Sequence, residues 1–320
     1  MQENKEIVWN YWQDLNRAAP DQVADVIRRY NHQDIDWHGP HPITYLKGAK
    51  DLTSRFWQPL LRAFPELTRT CEMLIGGHRH WVGSIGYLGG TFENDWLGIP
   101  ATGQSAQIRY GEFSAVHEGK IVLTYIIPDV LDLIRQAGFQ LVPTSLGEEG
   151  QVTGPMTGDG VRLRETDPVE GAKTLVMAKT MCSELNTDRC ESYWDPDRMV
   201  WYGPSGIGTC RTYRGFDELH QQPFYHAFPV FGAERMGTHI AEVGDGNYAG
   251  WVGWPSVRAH HAGEYLGIAP TGNMAEWRLM DFYRREGDRI IENWVPVDMI
   301  HLFLTMGVDL LGELEKQKNE

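Results

Sequence analysis

WLGIPATG (96–103) returns 169 residues later as YLGIAPTG (265–272). Laid over each other at that constant offset, residues 96–138 and 265–307 agree at twelve of forty-three positions without a gap. The shared positions include Gly98/Gly267, Arg109/Arg278, Phe113/Phe282, Asp129/Asp298 and Gly138/Gly307. Upstream the offset shrinks to 164, where DWHGP (36–40) meets VWYGP (200–204) and Ala63-Phe64-Pro65 meets Ala227-Phe228-Pro229. A self-similarity of this length means a duplicated unit, and two long copies make a pseudo-dimer, not a solenoid. The division read from it is 1–142, a linker over 143–168 rich in Pro, Gly, Thr and Glu, and 169–320.

Each copy has one grammar. Ile7, Val8, Tyr11, Trp12 and Leu15 share a helical face, and Val23, Val26, Ile27 and Tyr30 repeat the spacing after Pro20. An extended piece follows around Trp37, then a helix over Ala49–Phe64 stopped by Pro65. Strands are expected over 69–74, 80–87, 104–115 and 120–127, and a short helix between Asp129 and Gly138. Helices followed by a meander of long strands is an α+β layout, a curved antiparallel sheet wrapped on helices.

The chain has 320 residues, 42% of them hydrophobic, and a formal net charge of −14. That balance argues against a nucleic-acid partner, which needs an excess of Lys and Arg. The four cysteines form no Cys-x-x-Cys pair, so no structural zinc site is expected. Reduced thiols, no signal-peptide pattern and no long apolar run lead to the expectation of a cytoplasmic protein without a membrane partner.

GIPATG, a strand carrying Arg, a G-K-I hairpin, and Asp before a helix ending in Q-A-G together resemble the SnoaL-like polyketide cyclase family. That family belongs to the nuclear-transport-factor-2-like, or cystatin-like, superfamily of cone-shaped α+β barrels, with scytalone dehydratase and ketosteroid isomerase as distant relatives. The resemblance implies two tandem cones packed as an intrachain pseudo-dimer, leaving open a further homodimer. It also implies a small-molecule pocket, no cofactor, and an acid/base aspartate where Asp129 and Asp298 stand. A carboxyl group facing an aromatic cavity is desolvated and rises toward neutrality, as proton transfer to and from carbon requires. The same position, directly before a helix, also suits an N-cap.

Other candidates follow from residue type. His38 flanks a Gly-Pro pair, and His260 and His261 precede the second GIAPTG loop; each could serve as acid or hydrogen-bond donor beside an aspartate. His78 and His80 raise a metal, but no carboxylate has suitable spacing and none is assigned. Trp37, Trp57, Trp294, Tyr202 and His226 are expected to line a pocket. Arg109 and Arg278 stand three residues before Glu112 and Asp281, so Arg and acid point to opposite faces of a strand. An inward Arg would hold a substrate carboxylate or enolate; an outward one would be an interfacial ion pair.

Two functions fit. One is cofactor-independent acid/base chemistry on a small carbonyl compound: aldol-type cyclisation, dehydration or isomerisation, with Asp298 and His260 or His261, or Asp129 and His38, exchanging the proton. The other is a non-catalytic binding or assembly module of the same fold. The direction of the two aspartates separates them: into a cavity, or toward backbone amides.

Overall fold

The two faces of the long strands decide the architecture. The computed structural model describes residues 2–77, 80–150, 152–185, 187, 189–229 and 239–319. Its first copy contains α1 (Gln2–Arg17), α2 (Val23–Tyr30), β1 (Asn31–His38), β2 (Tyr45–Lys47), α3 (Gly48–Leu52) and α4 (Gln58–Ala63). It continues through β3 (Thr68–Arg69), β4 (Met73–Gly76), β5 (Trp81–Thr91), β6 (Ser105–His117), β7 (Lys120–Pro128) and α5 (Val130–Gln136). The second holds α6 (Pro168–Ser183), β8 (Val200–Tyr202), β9 (Thr209–Arg211), α7 (Thr212–Phe216) and α8 (Gln222–Ala227). After these come β10 (His239–Asp245), β11 (Tyr248–His260), β12 (Met274–Glu286), β13 (Arg289–Trp294), α9 (Met299–Thr305) and α10 (Leu310–Gln317). The strand orders are β2-β1-β7-β6-β5-β3, with β4 also on β5, and β10-β11-β12-β13-β8-β9. The helix expected over 49–64 contains a π-helical turn, Thr53–Trp57, matched by Asp217–Gln221 in the second copy.

On β6, Ile108 and Tyr110 join the first cone's core, while Phe113 on the other face joins a separate cluster shared by both sheets. That cluster includes Ile75, Ile85 and Ile127 from one sheet and Val243, Val252, Met280 and Phe282 from the other. The copies therefore pair sheet to sheet. Phe113 stacks on its own counterpart, Phe282, with centroids 5.1 Å apart, which marks the pseudo-twofold axis. Gly83 and Gly250 give these rings room: a Cβ on Gly83 would lie 2.9 Å from Phe113 and 3.0 Å from Phe282.

The segment between the copies is sewn to both. Leu74 N donates to Gly160 O and Arg162 N to Leu74 O, each at 2.9 Å. Glu148 exchanges two 2.8 Å backbone hydrogen bonds with Thr209. The intervening segment is thus hydrogen-bonded to both copies and is not a free tether. Among the described residues no helix is long and apolar enough to cross a membrane.

The duplicated loop is a tight hairpin. Trp96 and Ile99 exchange backbone hydrogen bonds, as do Tyr265 and Ile268. Both central residues take positive φ, 53° and 81° for Leu97 and Gly98, 48° and 79° for Leu266 and Gly267. Such a turn folds the aromatic residue at its start over the cone.

Candidate active site

The second cone is hollow. Its cavity has a volume of about 320 Å³, at the low end of small-molecule sites. The walls are aromatic: Trp194, Trp201, Phe216, Trp251, Trp277 and Phe224. On β12 the inward alternation Trp277, Leu279, Asp281, Tyr283 places a carboxylate against them. Asp281 accepts from Trp251 Nε1 at 2.9 Å and from the Tyr283 hydroxyl at 3.2 Å. Cys182 Sγ lies 3.3 Å from the same hydroxyl, and His239 stacks on Trp251 at 4.9 Å. His220, in the π-helical turn, stacks on Trp201 at 4.0 Å. Burial pushes its pKa down to about 3, so the imidazole is neutral. Two polar atoms on this lining, His220 Nδ1 and the Tyr265 hydroxyl, are buried with no hydrogen-bond partner among the described residues. Burial also pushes the Tyr265 phenol up, which keeps it a donor.

The first cone is packed with large buried side chains, and the repeat explains why. At offset 164, Phe56 and Trp57 stand where the second copy has His220 and Gln221. Helix α1 buries Tyr11 and Trp12, whereas α6 buries Gly171, Thr174, Ala178 and Met181. Glu112, the counterpart of Asp281, is taken up by Arg69 at 2.7 Å. The same fold is packed in one copy and open in the other.

The aspartates singled out by resemblance sit elsewhere. Asp129 Oδ1 caps its helix by accepting from Asp132 N at 3.1 Å, and Asp298 Oδ1 does the same with His301 N at 3.1 Å. The second oxygen of each reaches the other copy: Asp129 Oδ2 accepts from Ser205 N at 2.9 Å, Asp298 Oδ2 from His41 N at 3.1 Å. Ser205 and His41 end the repeated Gly-Pro stretches, so the motif's two halves are a reciprocal clasp. Neither carboxylate lines the second cone's cavity; Asp129 borders a polar cleft of about 330 Å³ at the seam.

The remaining candidates are also displaced from the cavity. Arg109 and Arg278 lie on the outer faces of their strands, each 3.7 Å from its aspartate; Arg109 donates to Gly203 O at 2.6 Å, and Arg278 lies over Trp254. The acids three residues on are the inward partners. His38 stacks on Tyr125 at 4.5 Å and is not bonded to Asp129. His260 is exposed at a strand end, 3.2 Å from Gly272 O. His261 is buried where the first copy has Phe92, and its Nδ1 accepts from Thr271 N, fastening the GIAPTG loop. Neither histidine reaches Asp298. Trp37 and Trp57 are first-cone core, Tyr202 and Trp294 stack together between the sheets, and His226 is exposed. His78 lies outside the described residues, and among those described no group of three or more His, Cys, Asp or Glu could hold a metal ion.

The residues missed were legible through the repeat. Asp281 shares strand parity with Trp277, and His220 appears as a polar exchange for Phe56.

The clasp carries a pH signature. Burial raises Asp129 and Asp298 to about 6, from 3.8 for an unburied aspartate. Between those values the folded state holds more protons than the unfolded chain, so the contribution of these groups is full below about pH 4 and is lost as pH rises to about 6. Burial lowers His220 to about 3 and His301 to about 4, and these groups act in the opposite sense across that window, so the aspartates are read by difference. Denaturation midpoints of the Asp129→Asn/Asp298→Asn variant should rise relative to those of the native chain as pH goes from about 4 to about 6; a difference that stays constant across the window contradicts the assignment.

The family model for the SnoaL-like polyketide cyclase matches residues 8–137 and again 175–304. No curated protein matches the chain. Similar solved structures include a SnoaL-like protein from Jannaschia sp. CCS1, at 20% identity over 43% of this chain and 93% of that one, TM-score 0.39. AclR from Streptomyces galilaeus is 19% identical over 43% and 97%, TM-score 0.37. IdmH from Streptomyces antibioticus is 22% identical over 41% and 97%, TM-score 0.35.

Proposed function

This chain belongs to the SnoaL-like polyketide cyclase family in both of its copies, and from that premise we propose that its second cone is a cofactor-independent acid/base enzyme acting on a small carbonyl compound. The observation that carries the reading is the inward carboxylate of Asp281, held by Trp251 and Tyr283 inside an aromatic cavity. The carboxylate takes a proton from the carbon next to the carbonyl and returns it to carbon or to a leaving hydroxyl. Negative charge then develops on the carbonyl oxygen. The Tyr265 hydroxyl and Nδ1 of the neutral His220 imidazole, which have no hydrogen-bond partner among the described residues, supply hydrogen bonds for it. The aromatic walls hold a flat substrate and exclude water. Cyclisation, dehydration and isomerisation share this first step, and the substrate chooses among them.

The first step is testable without the natural substrate. In D2O, the native chain should catalyse saturable exchange of the α-protons of 2-tetralone, a bicyclic ketone, followed by proton NMR. Exchange no faster than with serum albumin would favour the binding-module reading. His220→Phe, which writes the first copy's residue into the second, should lower the exchange kcat by about 10²-fold, the usual loss on removing one oxyanion donor. It should leave thermal stability unchanged or raised, since a buried unpartnered nitrogen is removed. An unaltered kcat would remove His220 from the mechanism.

A further inference from the structure

The sheets and helices of the first cone surround one side chain that behaves as a bound molecule. Arg69, on the two-residue strand β3, sends its guanidinium into the cone, where it is fully enclosed; the side chains of Arg69 and Glu112 are 2% and 4% exposed. Its Cζ lies 4.2 Å from the Trp12 ring and 4.3 Å from the Tyr110 ring. Nη2 donates to Glu112 Oε2 at 2.7 Å. Glu112 Oε1 accepts from the Ser114 hydroxyl at 3.0 Å, which is itself 3.0 Å from Thr124. Two rings and a buried carboxylate are the parts of a site for a flat cation. Among the described residues Arg69 Nε and Nη1 have no hydrogen-bond partner, so the guanidinium is held by two ring contacts and one carboxylate, not by a dense hydrogen-bond net. The segment that delivers it is pinned separately: Asn16 Oδ1 accepts from Arg69 N at 2.9 Å and Asn16 Nδ2 donates to Arg69 O at 2.7 Å. Backbone anchoring and head-group binding are thus divided between different residues.

The occupied place is the counterpart of the second cone's floor. Glu112, Ser114 and Thr124 stand at the repeat positions of Asp281, Tyr283 and Asn293, all three on the cavity lining of the second copy. We propose that the first cone is a self-liganded binding site: the Arg69 guanidinium is its resident ligand, and Trp12, Tyr110 and Glu112 form a pocket selective for planar guanidinium-type cations. The first copy then contributes a sealed, rigid partner for the sheet interface, and its ligand cannot dissociate. This concerns the first cone alone, and its outcome leaves the reading of the second untouched.

The test separates the ligand from its tether. Arg69→Ala empties the pocket and leaves Glu112 buried without its cation, so the melting temperature should fall steeply. Millimolar n-propylguanidinium, which carries the arginine side chain from its Cβ outward, should restore it in a saturable manner and quench or shift Trp12 fluorescence. n-Propylammonium and n-propylurea, lacking the flat charge or the charge, should restore at least tenfold less effectively by concentration. Glu112→Gln added to Arg69→Ala should abolish that preference. Should Arg69→Ala not fold unaided, the yield on refolding from urea with and without n-propylguanidinium reads the same quantity. Equal restoration by the three compounds, or none by the guanidinium in either assay, overturns the proposal.

Discussion

Asp281→Asn is expected to lower the rate of 2-tetralone proton exchange by about 10²- to 10⁴-fold, the contribution of a positioned general base. The amide keeps the size of the carboxylate and can still accept from Trp251 Nε1, so the aromatic walls need not move. What it loses is the lone pair that takes a proton from carbon. KM should therefore change little while kcat collapses. Asp298→Asn, in the same assay, should retain near-native exchange, because its carboxylate is engaged by the amides of His301 and His41 and not by the cavity. The two variants make an internal control: one acid facing the hollow, one facing the seam. If Asp298→Asn removed exchange and Asp281→Asn spared it, the proton chemistry would belong to the family's C-terminal aspartate position after all.

The second large effect concerns the joint between the copies. Lys5→Met should destabilise the chain by about 3–5 kcal/mol, the cost of leaving one member of a buried ion pair alone. Lys5 Nζ lies 2.9 Å from Asp245 Oδ2, and both side chains are 0% exposed. Lys5 belongs to α1 of the first copy and Asp245 to β10 of the second. The same carboxylate accepts from Gly76 N at 2.9 Å and from the Thr166 hydroxyl, while Lys5 Nζ also donates to Arg164 O at 3.2 Å. Four segments, α1, β4, residues 164–166 and β10, therefore meet at a single charge pair. Gly76 is required there because a Cβ would lie 2.9 Å from the Lys5 stem. Urea denaturation should show the loss, and it should persist in high salt, since solvent ions cannot screen an enclosed pair. Lys5→Met/Asp245→Asn should recover part of it. A loss under 1 kcal/mol would mean that the pair is no better than a surface contact.

Much of the fold could be read from the chain because the repeat doubled every signal. Helix faces, the GIPATG hairpin and the long strands obey simple periodicities that two copies state independently. The site was harder. Asp129 and Asp298 draw attention by recurring in both copies, but recurrence marks what both copies need, and both need a cap and a clasp. Residues that line a cavity in one copy only leave the opposite trace, a difference. Phe56 against His220, Trp57 against Gln221, and bulky Tyr11 and Trp12 against the smaller buried residues of α6 are such differences, and together they hollow one cone. Which way Arg278 and Asp281 point follows from parity alone only once one neighbour is known to face inward; Trp277 on the cavity wall supplies that reference. The π-helical turns that set Phe56 and His220 on Trp37 and Trp201 leave no pattern in the sequence, since a single extra residue per turn is absorbed within an ordinary helical spacing.

A crystal of the native chain soaked with 2-tetralone tests the asymmetry of the two cones most directly. The account predicts one ketone per chain, inside the second cone, with its carbonyl oxygen toward Tyr265 and His220 and an α-carbon toward Asp281, while Arg69 still fills the first. Density for the ketone in the first cone, or at the seam beside Asp129 with the second cone empty, would contradict it.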